Sequence, residues 1–299
     1  ISNFSMFLFD DVHFQFGGSS SFYGTDAMGG SILLNNKPEW NKGLSFQAQQ
    51  DMGSFGHYFS GLKLGFSKKK IDYKIKIYRL KKENNFPFIN LSVKDFETNS
   101  FVRDTTRDAR VFNYGFLQEI NYQITSKLYA HTNFWYENNF HQIQSNMSAN
   151  YYNSSFDEIL DKHIRSNTGL RYYKNNHKLN GGFSYIRNYQ LYNKNTEETI
   201  ATNSFILNGE YNHSRLWNGD FQLGFSTQYI QPEVYAYDKN LKEYRTDIFS
   251  SYKKSLSKHL DLSINLREAL VSNYKSQFCP SIGFLGKLIN KENKELSFK

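Results

Sequence analysis

The sequence predicts an all-β protein, and more specifically a transmembrane antiparallel β-barrel. Apolar and polar residues alternate with a period of two along many segments, which is the period of a strand. Short and long connections between these segments alternate along the chain, as they do in outer-membrane barrels. Aromatic residues make up 17% of the chain although its mean hydropathy is only -0.66. This combination is expected where only the outward face of each strand must be apolar.

The strand 71–78 illustrates the alternation, because Ile75 and Ile77 alternate with Lys74 and Lys76. A Lys or Arg at the lipid midplane costs ~2–4 kcal/mol, so we expect the isoleucines to face lipid and the lysines to face the lumen. The same argument applies to the strands 58–67, 221–229 and 260–267. It assigns Leu62, Leu64, Phe221, Leu223, Phe225, Leu262 and Ile264 to the lipid side, and Gln222, Ser263 and Asn265 to the lumen.

The connections complete the pattern of roughly twelve predicted strands. Tight turns are predicted around residues 68–70, 125–127, 175–176, 216–219 and 255–258. Long polar connections are predicted between them, at 83–110, 139–164, 191–201 and 231–243. A membrane barrel places its short turns on the periplasmic side and its longer loops outside.

The first forty residues differ in composition and pattern, since they are rich in Gly and Ser and show little alternation of apolar and polar residues. After Pro38 the alternation begins, so a boundary is predicted at 38–42. The longest aliphatic run is Ile32–Leu34, far short of the ~20 residues that a spanning helix needs. No signal peptide opens the chain at Ile1, so we expect the natural N-terminus to lie upstream.

The segment from Gly17 to Leu34 is the most specific feature of the sequence. It resembles the end of the plug domain in TonB-dependent outer-membrane receptors, whose pattern is close to G-P-x-S-x-x-Y-G-x-x-A-[IM]-G-G-x-I-x-I. The sequence departs from that pattern at Gly18, where the family usually has Pro, and around Leu33. The matching positions are Gly17, Ser20, Tyr23, Gly24, Ala27, Met28, Gly29, Gly30 and Ile32. A soluble β-protein with a Gly-rich turn is the alternative interpretation of this segment.

The resemblance implies a domain organisation and a location. Residues 1–38 would be the C-terminal part of a plug, and residues 42–299 the N-terminal half of a barrel of about twenty-two strands. The protein would lie among the lipids of the outer membrane of a Gram-negative bacterium. It would contact the TonB complex through a segment upstream of Ile1, and both ends of the receptor would be missing from this chain.

A ligand site follows from the same resemblance. Contacts are expected from the plug at Ser19, Ser20, Ser21 and Tyr23, from lumenal aromatic side chains and from the outer loops 83–110 and 139–164. Tyr23 offers a ring and a hydroxyl beside Gly24. The alternative, which we favour for this residue, is that Tyr23 only packs the plug against the barrel.

No catalytic or metal site is predicted. The eight histidines are scattered and Cys279 is the single cysteine, so neither forms a recognised ligand pattern. In the loop 83–110, Asp95, Glu97, Asp104 and Asp108 could hold calcium. A solvated loop, in which Arg103, Arg107 and Arg110 balance these charges, is the preferred interpretation. The net charge of +8 does not indicate nucleic acid, because Lys is spread through the chain without a long block.

Two functions remain open at this point. The resemblance implies active, TonB-dependent uptake of a scarce, bulky small-molecule ligand, either cobalamin or a ferric siderophore, with a slight preference for cobalamin. The alternative is a passive porin or a structural barrel that has no plug, in which residues 1–40 would be a lead or a short interior segment.

Overall fold

The computed structural model describes residues 5–16, 30–144, 157–235, 241–291 and 294–298 of the 299-residue chain. Their regular secondary structure consists of strands, apart from single 3₁₀ turns at Met6–Leu8 and Thr196–Glu198, so the predicted all-β class is confirmed. The strands are β1 (Asp11–Phe16), β2 (Gly30–Asn35), β3 (Gly43–Gly53), β4 (His57–Ser67), β5 (Ile71–Lys82), β6 (Pro87–Lys94), β7 (Phe101–Thr105), β8 (Val111–Gln123), β9 (Leu128–Ile143), β10 (Asp157–Lys174), β11 (His177–Tyr192), β12 (Ile200–Leu216), β13 (Gly219–Val234), β14 (Glu243–Ser257), β15 (Leu260–Val271), β16 (Gln277–Phe278), β17 (Ser281–Lys291) and β18 (Lys294–Phe298).

Most of these strands belong to one antiparallel sheet with the order β3-β4-β5-β8-β9-β10-β11-β12-β13-β14-β15-β17-β18. Within this sheet, consecutive strands pair with two exceptions. The strands β6 and β7 form their own hairpin between β5 and β8, and the short β16 pairs with β15 beside β17. The pair β1–β2 also forms a separate two-stranded sheet. Within the described ranges, β3 pairs only with β4 and β18 only with β17, so both are edge strands.

The two ends of the sheet differ in the length of their connections, as predicted. At the end that we call the turn end, strands are joined by short segments such as 68–70, 124–127 and 175–176. At the opposite end, the loop end, the connections include 83–110, 193–199 and 235–242. Trp217 and Asn218 both have a positive φ, 48° and 60°, which is the conformation of a two-residue type I′ hairpin turn.

Several strands are longer than the sequence predicted. The connection expected at 139–164 is shorter, because β9 continues to Ile143 and β10 already begins at Asp157. The predicted loop begins at Asn139, directly after the polar residues Glu137 and Asn138. All three side chains are instead buried within the sheet, so polarity alone did not mark the end of the strand.

The two faces of the sheet carry different side chains. We call the face that contacts residues 5–10 the inner face and the opposite face the outer face. The predicted outward residues Leu64, Ile77 and Phe225 lie on the outer face and are exposed. Lys76 lies on the inner face as predicted, but it is buried beneath the N-terminal segment instead of facing open water.

Candidate functional site

The N-terminal segment, residues 5–10, is seated on the inner face of β4, β5, β8 and β9. Leu8 is completely buried and packs against Tyr78 and Leu117. Phe7 and Phe9 extend this contact, since Phe7 lies edge-on to Phe59 and Phe9 edge-on to Trp135. The ring centroids are 5.4 and 5.2 Å apart. These side chains form an apolar cluster on a face of the sheet that also carries buried charged residues.

Lys76 is the central polar contact of the segment and is only 2% exposed. Its Nζ donates to the Leu8 carbonyl at 2.9 Å, to Asp10 Oδ1 at 3.2 Å and to Asn36 Oδ1 at 2.7 Å. It also lies 3.2 Å from Glu119 Oε2 on β8. Because a buried ammonium is costly without partners, this arrangement ties the segments on both sides of the β1–β2 hairpin to the sheet.

Asp10 and Asn36 reinforce the same junction from within the N-terminal segments. Asn36 Nδ2 donates to the Leu8 carbonyl at 3.2 Å, and the Asp10 amide donates to Asn36 Oδ1 at 2.8 Å. Burial alone would raise the pKa of the Asp10 carboxyl, but the positive charges of Lys76 and Lys74 outweigh it and hold that pKa below its usual value. Asp10 therefore carries its negative charge at neutral pH, as an ion pair with Lys76 requires.

A second buried network lies beside the first. Glu137 on β9 is completely buried, accepts a hydrogen bond from the Tyr78 hydroxyl at 3.0 Å and pairs with Arg165 Nη1 at 3.2 Å. The Arg165 guanidinium also lies over the ring of Trp135, 4.3 Å from its centroid. The cluster of Tyr78, Trp135, Glu137 and Arg165 thus joins β5, β9 and β10 beneath the N-terminal segment.

The linker that follows β2 contacts β5 and β9 near the turn end of the sheet. Lys74 Nζ donates to the Lys37 carbonyl at 2.7 Å and lies 3.8 Å from Glu39. Trp40 packs near the ring of Tyr129 on β9, with centroids 6.2 Å apart. These contacts connect the N-terminal segments to the first strand of the main sheet, β3.

A cavity of about 540 Å³ lies between the N-terminal segment and the inner face of β3, β4 and β5. Its volume is in the range of small-molecule sites. It approaches the loop end, since Asp51 and His57 flank the 54–56 connection. Its lining residues include Phe7, Phe9, Gln47, Gln49, Asp51, His57, Phe59, Lys63, Tyr78 and Lys82. The strand alternation could have indicated these inner positions, but sequence reasoning did not single them out as site residues.

Two of the predicted plug residues, Gly30 and Ile32, lie in the described part of the chain. Gly17, Ser19, Ser20, Ser21, Tyr23, Gly24, Ala27, Met28 and Gly29 lie outside the described residues. Gly30 and Ile32 lie in β2, where Ile32 pairs with Phe14 of β1. The part of the site that the structure describes is therefore the flanking hairpin and the wall against which residues 5–10 rest.

The carboxylates considered for calcium have other contacts. Asp95 accepts hydrogen bonds from the amides of Glu97 and Thr98, and Asp104 lies 3.3 Å from Arg107. Over the described ranges, no cluster of three or more His, Cys, Asp or Glu side chains is arranged to hold a metal ion. In the same ranges, no helix has the length and apolar character needed to cross a membrane.

Comparisons with known proteins identify the fold. No family model and no curated protein matches the sequence. Among solved structures, the FrpB iron transporter from Neisseria meningitidis matches 94% of this chain and 51% of its own, with a TM-score of 0.74 and 11% identity. The ferripyoverdine receptor of the outer membrane of Pseudomonas aeruginosa matches 93% and 45%, with a TM-score of 0.66 and 11% identity.

The alcaligin outer-membrane receptor FauA from Bordetella pertussis gives a similar result, with 95% of this chain and 48% of the receptor covered, a TM-score of 0.66 and 11% identity. These proteins are named as receptors and transporters. The chain thus has the barrel fold of outer-membrane iron and siderophore receptors and spans about half the length of these relatives.

Proposed function

We propose that the chain is part of a TonB-dependent receptor that imports a scarce, bulky ligand across the bacterial outer membrane. Residues 1–38 would form the C-terminal part of the plug, and residues 42–299 about half of the barrel. The observation that carries this proposal is the N-terminal segment on the inner face of the sheet, with Leu8 buried and Lys76 bonded to both sides of the β1–β2 hairpin.

The same observation favours uptake over a passive porin. An N-terminal segment without a role in the lumen is not expected to cover Lys76, Glu119 and Glu137, because each buried charge is costly unless it is paired. The Lys76–Glu119 pair and the buried Glu137 are instead matched by groups that the segment and the sheet supply together. A segment that is bonded to the inner face in this way supports the proposal of a gated path over that of an open pore.

For the ligand, we infer a ferric siderophore in preference to cobalamin. The similar structures reported above are an iron transporter and receptors named for ferripyoverdine and alcaligin. The cavity beside Phe7, Phe59 and Tyr78 supplies aromatic walls, and Lys63 and Lys82 supply positive charge for an anionic chelate. Together with Ser19, Ser20, Ser21 and Tyr23 of the plug and the outer loops, these residues are our candidate contact surface.

The test is uptake by cells that carry the full-length receptor gene. We expect growth on the cognate ferric siderophore when the receptor and TonB are both present, and none when either is deleted. A TonB contact upstream of Ile1 is part of the proposal, so deletion of that segment has the same expected result. Uptake that continues without TonB would favour the passive porin. Growth restored by cobalamin, and not by any ferric siderophore, would overturn our choice of ligand.

A further inference from the structure

A second cavity lies against the inner face at the turn end of the sheet. Its volume is about 310 Å³, and its wall includes Tyr129 and His131 of β9 and Arg171 of β10. Tyr129 and His131 share the face of Trp135 because side chains alternate along a strand. Trp40 of the linker after β2 lines the other side. This turn-end cavity therefore lies between the linker and the sheet, at the opposite end of the inner face from the cavity of about 540 Å³.

Aromatic rings line much of the turn-end cavity. The centroids of Trp40 and Tyr129 are 6.2 Å apart, and those of Tyr129 and Tyr173 are 6.0 Å apart with the two rings nearly perpendicular. Aromatic side chains pack favourably against the face or the edge of a further ring at such distances. The cavity is at the lower end of the ~300–1,000 Å³ range of small-molecule sites, so it suits a single substituted ring better than a bulky ligand.

Arg171 supplies a positive charge that no described acid neutralises. Its side chain is exposed, and no carboxylate lies within 4.0 Å of it in the ranges that the structure describes. Its cross-strand neighbours are Tyr129 and Asn180, which are both uncharged. The acid on the next strand, Glu210, instead accepts hydrogen bonds from Asn180 and Asn212. The guanidinium of Arg171 therefore suits a carboxylate, which it can bind through two parallel hydrogen bonds.

His131 supplies a hydrogen-bond acceptor to the same cavity. Its Nε2 lies 2.9 Å from Asn167 Oδ1, and the amide of Asn167 is oriented by a 2.7 Å hydrogen bond from its Nδ2 to Ser184 Oγ. A carbonyl oxygen only accepts, so Nε2 carries the proton and Nδ1 of the neutral ring is an acceptor. This Nδ1 is buried and has no hydrogen-bond partner among the described residues. A ligand hydroxyl would supply the missing donor.

We propose that the turn-end cavity is a binding site for a small hydroxyaryl carboxylate. The ring of this ligand packs against Trp40 and Tyr129, its carboxylate pairs with Arg171, and its hydroxyl donates to His131 Nδ1. The ligand thus contacts the linker on one side and the sheet on the other. A ligand that binds only the assembled form stabilises that form by mass action. Occupancy therefore holds the linker against β9, and the ligand acts as an effector of this junction, separate from any imported cargo.

The test uses the full-length receptor purified in detergent and three probes that differ in one group. Salicylate carries both the hydroxyl and the carboxylate, benzoate lacks the hydroxyl, and phenol lacks the carboxylate. Each probe is titrated by ligand-observed saturation-transfer NMR into the unmodified receptor, Arg171→Gln and His131→Phe. The matched control is Lys253→Gln, which removes one positive charge from the inner face near the turn end of β14, four strands away from β10. Heat-modifiability shows that each variant is folded.

We expect salicylate to bind about tenfold more tightly than either benzoate or phenol, because it makes one more hydrogen bond or charged contact than each of them. Arg171→Gln should abolish the preference over phenol, and His131→Phe the preference over benzoate. Lys253→Gln should bind all three probes as the unmodified receptor does. Salicylate should also slow hydrogen exchange in residues 37–42 of the unmodified receptor and of the control, but not of Arg171→Gln.

The inference is overturned if salicylate shows no saturable binding, if the three probes bind equally, or if Arg171→Gln binds salicylate as the unmodified receptor does. Arg171 is exposed, so this variant remains informative even if His131→Phe does not fold. None of these measurements requires uptake. A failure here therefore leaves the proposed function intact, and TonB-independent uptake would contradict that function without affecting this site.

Discussion

At the scale of single residues, Lys76 is the side chain on which the N-terminal segment depends most. Lys76→Met keeps the length of the side chain but removes the donor to Leu8, Asp10 and Asn36 and leaves Glu119 with an unpaired buried charge. Breaking one partner of a buried pair costs about 3–5 kcal/mol. We expect hydrogen exchange in residues 5–10 of the full-length receptor to rise by at least tenfold, with the barrel still inserted.

Two further variants separate the role of Lys76 from a general loss of charge. Lys74→Met removes a neighbouring lysine whose ion pairs are longer, 3.8 and 3.9 Å, and should produce a much smaller rise. Lys76→Met combined with Glu119→Gln removes the unpaired charge and should restore part of the protection. If Lys74→Met releases the segment as strongly as Lys76→Met, the interpretation of Lys76 as the central contact is wrong.

Tyr23 is the residue at which ligand binding and packing can be told apart. Tyr23→Phe keeps the ring and removes only the hydroxyl. If Tyr23 contacts ligand, we expect affinity to fall by about tenfold, or roughly 1.4 kcal/mol, at normal receptor levels. Unchanged affinity in this variant, together with a loss of folded receptor in Tyr23→Ala, would assign Tyr23 to packing alone.

At the scale of elements, the loop between β5 and β8 is the piece most separable from the sheet. Its strands β6 and β7 pair only with each other among the described residues, and Ile89 and Phe96 are exposed. Replacing residues 84–109 with a short Gly- and Asn-containing turn should leave the receptor folded and heat-modifiable. Ligand affinity should fall by at least tenfold, as measured by equilibrium binding to the purified receptor.

The control for this exchange is the tight turn 124–127, where Thr125 Oγ1 accepts from the amides of Lys127 and Leu128. Thr125→Ala removes this acceptor, so it should lower the stability of the receptor and leave its ligand affinity unchanged. If the receptor without residues 84–109 binds ligand normally, this loop is not part of the contact surface. If it cannot insert, the hairpin is structural and our view of it as a separable element is wrong.

The strand alternation predicted the elements well, but it predicted their ends poorly. Period-two patterns such as 71–78 identified both the strands and their faces, because a lipid-facing position cannot easily hold a charge. The loop was predicted to begin at Asn139, although this residue and its neighbours Glu137 and Asn138 are buried within β9. Glu137 is paired there with Tyr78 and Arg165. A buried polar network and a solvated loop have similar compositions, and only the partners distinguish them.

The same limit applies to the candidate site. The Gly-rich motif indicated a plug, but nothing local indicated that Lys76 would meet Leu8 and Asn36, which are 68 and 40 positions away in the sequence. The cavity beside Phe59 and Lys63 likewise depends on which residues lie opposite each other across three strands. Long-range register creates these contacts, and it cannot be read from one strand at a time.

At the scale of the whole molecule, the open edges of the sheet determine how residues 1–299 behave alone. In the described part of the chain β3 and β18 each have one neighbour, so each leaves a row of backbone groups unpaired. Lipid cannot satisfy those groups. We expect residues 1–299 expressed alone to aggregate or be degraded. Stable, heat-modifiable monomers in outer-membrane fractions would contradict this expectation.

The most direct measurement of the central claim is cysteine labelling of the full-length receptor in intact outer membranes. Single cysteines would replace Ile77, Leu223 and Phe225 on the outer face and Gln222 and Ser263 on the inner face. We expect the outer set to react only with a lipid-soluble maleimide and the inner set only with a water-soluble one, because the sheet separates lipid from the lumen. If neighbouring positions such as Gln222 and Leu223 react alike, the sheet does not face lipid on one side, and the account of a plugged membrane barrel fails.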